Sequence, residues 1–140
     1  MTTAVEILFS LYLLMLALSD IRKKTLDVRA VLAGVLFAPL FLLCGCGWGI
    51  KEQLIGLIPG MIFYVIGRLS RWQIGFGDVL LILVTGLNVG IINVLRITGG
   101  AFAAIMPVAF VLLVLGRLNK KSTLPFVPFL FAGNLLRLFF

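Results

Sequence analysis

The chain has 140 residues, 62% of them hydrophobic, with a mean hydropathy of +1.23 and only 12% charged residues. That composition excludes an ordinary soluble domain and points to runs of about 17–25 apolar residues that cross a membrane. The net charge of +7 would suggest nucleic acid in a soluble protein, but here the basic residues stand between apolar runs and describe topology instead.

The expected first span is residues 4–19. Ala17-Leu18-Ser19 resembles a cleavage site, yet no positive segment precedes the span, and Arg22, Lys23 and Lys24 follow it. That order reads as an anchored helix with its N-terminus outside. The second span is residues 30–47, ending near Cys44 and Cys46. Two cysteines and no histidine cannot build a zinc site, and cysteines two residues apart make a strained disulfide. The third span, residues 53–67, contains Pro59, which is expected to kink it. The fourth, residues 78–95, opens at Asp78 and carries Asn88 and Asn93, expected to bond between helices. Arg96 and Thr98-Gly99-Gly100 are read as a turn. The fifth span is residues 101–116 and the sixth residues 125–140. The expectation is one all-α membrane domain over residues 1–140, with six transmembrane helices. Nine of the 12 basic residues fall in the loops after spans one, three and five. The positive-inside rule puts those loops in the cytoplasm and both termini outside.

The chain has five acidic residues: Glu6, Asp20, Asp27, Glu52 and Asp78. On this topology Asp20 closes the first span and Asp78 opens the fourth, both at the cytoplasmic side. Ionisable groups at such depth are costly and mark functional sites. Two neighbouring carboxylates cannot both ionise, so one can activate water while the other, protonated, polarises a carbonyl. Asp27 is expected to cap the second span. Other hydrolytic chemistries fail on inventory. There is no histidine for a triad or a cysteine-based pair, and Ser122 and Lys121 are adjacent residues that rarely face each other.

Three stretches resemble the motifs of type IV prepilin peptidases, in that family's order. Ser19-Asp20-Ile21-Arg22-Lys23-Lys24 is similar to the first, an aspartate at a helix end before a basic run. Gly75-Phe76-Gly77-Asp78 matches the second, the GxGD motif of intramembrane aspartyl proteases. Pro125-Phe126-Val127-Pro128-Phe129-Leu130 with Gly133 is similar to the third. Presenilin-like enzymes share only GxGD. The chain departs from the family after the first aspartate, where Leu26, Asp27 and Val28 replace the usual Ile-Pro-Asn. The resemblance implies catalytic roles for Asp20 and Asp78, and substrate contacts from Gly75, Gly77, Pro125, Phe126 and Pro128. It implies cleavage of a short basic leader from pilin-like precursors at the cytoplasmic face of the cell membrane. Neither a metal nor another cofactor is expected. The partners would be a prepilin-like substrate and the lipid bilayer, not nucleic acid. The cysteine-containing insert linked to N-methylation has no counterpart between spans one and two, so a minimal, peptidase-only form is expected. The alternative is a non-catalytic transport or secretion-assembly subunit.

Overall fold

A computed structural model describes residues 4–23, 27–43, 49–71, 75–117 and 125–139. The expectations for Cys44, Cys46, Lys121 and Ser122 lie outside the described residues, as do Lys24, Thr25 and Leu26. Every regular element among the described residues is helical.

Helix α1, Ala4–Lys23, has Glu6 in its first turn and Arg22 and Lys23 in its last. These signs complement the helix dipole. Its inner face buries Val5, Phe9, Leu13 and Leu16, while Ile7, Leu11, Met15 and Leu18 are exposed on the other side. A helix apolar on both faces suits a bilayer better than water.

The next apolar stretch is broken into α2 (Val28–Ala33), a 3-10 turn (Gly34–Leu36) and α3 (Phe37–Leu43). Asp27 caps α2, accepting from the Arg29 N–H at 3.2 Å. Pro39 has no N–H for the Val35 carbonyl, and the backbone tightens in the turn before it. Tyr12 fastens the start of this stretch to α1, donating to the Ala30 carbonyl at 2.7 Å.

Helices α4 (Ile50–Ile55) and α5 (Leu57–Leu69) meet at Gly56. The break falls three residues before Pro59 rather than at it. Pro59 sits in the first turn of α5, where a helix needs no N–H from the residue.

Helix α6 runs from Phe76 to Val114, but Gly90 inside it has φ 77° and ψ 171°. A Cβ added to Gly86 would lie 3.6 Å from Val94 Cγ2. In an unbroken helix residues eight apart are separated by about 12 Å along the axis. The chain therefore folds back at Gly90. The first arm, residues 76–89, and the second, residues 91–114, are about 21 Å and about 36 Å long. The expected turn at Arg96–Gly100 is helical instead. Gly99 and Gly100 prolong the second arm, and the reversal uses the one glycine of this helix with positive φ. Both arms pack on α5: Gly60 lies against Leu83, and Phe63 stacks on Phe102 with ring centroids 5.8 Å apart. Helix α7, Val127–Phe139, lies between α6 and α1.

Three helical stretches are long and apolar enough to cross a membrane: Ala4–Lys23, Ile50–Leu69 and Phe76–Val114. Val28–Leu43 and Val127–Phe139 are apolar but shorter. Helix length alone therefore does not give the six separate spans expected from sequence.

Close approach of backbones at Gly56 and Gly86 holds α5 to the first arm, for a Cβ on either would strike the other's carbonyl. Gly86→Val should destabilise the protein by about 1–3 kcal/mol through overpacking. Gly99→Ala, with nothing within 4 Å of its Cβ, should melt at or slightly above the wild-type temperature. Thermal unfolding in detergent checks both.

Candidate active site

Asp20 stands in the last turn of α1 and is 6% exposed. The apolar heptad-like spacing that buries Phe9, Leu13 and Leu16 carries it to the same inner face. The backbone N–H of Val127, at the start of α7, lies near its carboxylate. An α-helix leaves its first N–H groups without internal partners, so the carboxylate is a natural acceptor there. Its Oδ2 is buried without a hydrogen-bond partner.

Asp78 stands in the first turn of α6 and is half-buried. Its N–H donates to the Gly75 carbonyl at 3.1 Å. A Cβ on Gly75 would come within 2.9 Å of Asp78 Oδ2. The motif glycine at position 75 thus leaves room for the carboxylate and is not required by a left-handed backbone, its φ being −57°. Asp20 lies close enough to Asp78 to act on it electrostatically. Neither forms an ion pair with a cation among the described residues. Charges that repel at short range in an apolar setting cost stability.

The third stretch reaches the same place. Pro125 and Pro128 are half-buried, and Phe126 is buried. Phe126 packs on Phe102 at 5.7 Å, and Phe102 packs on Phe63. This aromatic row ties the start of α7 to both α6 and α5. Gly77 is half-buried beside Asp78. Asp20, Asp78 and the start of α7 thus lie toward one end of the bundle. Sequence reasoning missed the approach of the Val127 N–H to Asp20. The pattern of Pro125 and Pro128 around it was the available signal, because prolines at a helix start lack the N–H groups that would compete for the same acceptor.

The buried amides have other duties. Asn88 donates to the Gly34 carbonyl at 3.1 Å, joining α6 to the 3-10 turn as expected. Asn93 bonds between the two arms of α6. It donates to the Val89 carbonyl at 3.0 Å, within α6 and across the Gly90 break. A side-chain amide there replaces a ladder bond that the break disturbs. Gln53, not singled out from sequence, donates to the Ala38 carbonyl at 3.1 Å.

No protein-family model, no curated protein and no solved structure matches the chain.

Asp20→Asn keeps an acceptor for the Val127 N–H and should fold as wild type does. Asp20→Leu strands that N–H and should cost about 1–3 kcal/mol. Asp78→Asn removes a like charge and should raise stability by about 0.5–2 kcal/mol in mildly alkaline detergent. Thermal melts of the three variants distinguish these outcomes.

Proposed function

We propose that this chain is a membrane aspartyl endopeptidase of the type IV prepilin peptidase kind, with Asp20 and Asp78 as its catalytic pair. The observation that carries the reading is the convergence of two carboxylates, from helices far apart in sequence and without an ion-pair partner among the described residues, with the start of α7 beside one of them. A fold seeking stability alone would separate them or supply a cation.

In this reading the Gly90 reversal splits α6 into two crossings, and the shorter apolar stretches complete a six-helix membrane bundle with both termini outside. The exposed cations Arg22, Lys23, Arg68 and Arg71 then mark the cytoplasmic side. The acids lie near that surface, so water reaches them without crossing the bilayer. One carboxylate takes a proton from water as the water attacks the scissile carbonyl. The other, protonated, donates to the carbonyl oxygen, and the proton passes to the leaving amine as the tetrahedral intermediate collapses. The roles belong to the pair and not to either residue. The Val127 N–H beside Asp20 would help orient its carboxylate, and Gly75 gives the Asp78 carboxylate its space.

The substrate would be a small membrane precursor with a short basic leader before an apolar helix, cut at the junction without N-methylation. The test mixes detergent-purified protein with pilin-like precursors encoded nearby. Wild type should release the leader. Asp20→Asn and Asp78→Asn should each fall to background, and Gly75→Ala should lose about 10–100-fold through misplacement of the carboxylate. Cleavage by both aspartate variants would sink the reading. A wild type that cuts nothing, with the aspartates still required for its cellular role, would favour a transport or secretion-assembly subunit.

A further inference from the structure

The strongest polar feature outside the aspartate pair lies at the opposite ends of α1 and α7. Arg137 Nη2 donates to Glu6 Oε1 at 2.9 Å, with side chains only 6% and 14% exposed. One step nearer the acids, Asn134 Nδ2 donates to Ser10 Oγ at 2.9 Å, and that hydroxyl donates to the Glu6 carbonyl at 2.8 Å. At the far end the Val127 N–H lies near the Asp20 carboxylate. The three contacts pair rising numbers on α1 with falling numbers on α7. They form one antiparallel ladder with the buried charges at its foot and the candidate catalytic acid at its head.

Apolar surfaces alone set register weakly, since one leucine fits a neighbour's groove much as the next does. A buried ion pair sets it strongly. A slip of one turn, about 5.4 Å, would break the Arg137–Glu6 pair and leave the buried Arg137 guanidinium away from that carboxylate, a costly outcome for a charged group. The same slip would carry Val127 away from Asp20. The groups at the foot thus select the register that the head requires. Gly133 supports this from the other side. A Cβ there would strike the Ile97 carbonyl, so α7 is also held close to the second arm of α6.

We propose that Glu6, Ser10, Asn134 and Arg137 form a register clasp, positioning residues that hold the start of α7 against Asp20. They touch no reacting group. The catalytic consequence rests on the peptidase reading, whereas the clasp itself does not.

Two readouts separate them. After Cys44→Ser and Cys46→Ser, spin labels are attached at Leu18→Cys and Leu136→Cys, half-exposed positions on α1 and α7. Pulsed electron paramagnetic resonance then reads the distance between the helices' labels, and precursor cleavage is followed in parallel. Arg137→Gln should shift or broaden that distance by about 5 Å, the rise of one turn. It should also lower kcat by on the order of 100-fold with KM little changed. The reversed pair, Glu6→Arg with Arg137→Glu, should restore both. Should Arg137→Gln fail to fold, the reversed pair alone carries the test, and restored distance and cleavage support the clasp. An unmoved distance in Arg137→Gln, or a reversed pair that restores neither readout, overturns it. Loss of cleavage in wild type with the distances behaving as described leaves the clasp standing and removes the peptidase reading.

Discussion

The geometry of this protein depends on a reversal at one residue. Gly90 takes a φ of 77° and a ψ of 171°, a conformation open to glycine and strained for any residue with a Cβ. Without it α6 would be a rod of about 58 Å, nearly twice the thickness of a bilayer core. With it, residues 78 and 102 stand equally far from the bend, at the same end of the bundle. That is why Phe102 can pack on Phe126, and why the segment beginning at Pro125 can reach the level of Asp78. The acid pair and the α7 start meet because the chain turns where it does.

The breaks at Gly34–Leu36, Gly56 and Gly90 are each made good by a nearby polar group or by glycine contact. Pro39 interrupts one stretch, and Asn88 and Gln53 bond the Gly34 and Ala38 carbonyls around it. The α4–α5 junction falls on Gly56, pressed against Gly86 and Gly90. Asn93 reaches across the Gly90 break to Val89. In an apolar medium an unpaired backbone group is costly, so broken helices and buried amides go together. Each such bond is worth on the order of 1 kcal/mol. Their value lies in fixing where the chain bends, which in turn fixes where the acids stand.

The sequence showed the helical character plainly, since long apolar runs bounded by charge admit little else. It also singled out the candidate site residues, because Asp20 and Asp78 were carboxylates without an evident solvent role and Pro125–Pro128 opened a helix. The bends were less legible. Arg96 and Thr98-Gly99-Gly100 carry the usual punctuation of a turn, yet they are helical. Gly90, an unremarked glycine between Val89 and Ile91, makes the turn. A lone glycine inside an apolar run gives no local signal, and the choice was made by tertiary contacts with Gly56 and Val94. The approach of Val127 to Asp20 was hidden for a similar reason. A backbone N–H has no letter in the sequence.

The five acids of the chain divide in a way that bears on function. Asp27 is an exposed cap with a local task, and Glu52 is exposed in the first turn of α4. Glu6 is largely buried, and an arginine meets it. The fold therefore has the means to neutralise a buried carboxylate and uses them there. Asp20 and Asp78 are treated differently. They are brought within reach of each other, one has a backbone N–H nearby, and one Asp20 oxygen is buried without a partner. Stability gains nothing from this arrangement, since two like charges and an unsatisfied oxygen both oppose folding. Local arrangements that oppose stability amid otherwise consistent packing are where chemistry is expected. The contrast between Glu6 and Asp20 makes the point within one element: α1 carries an ion-paired acid at one end and, at the other, an acid with one oxygen buried and without a partner.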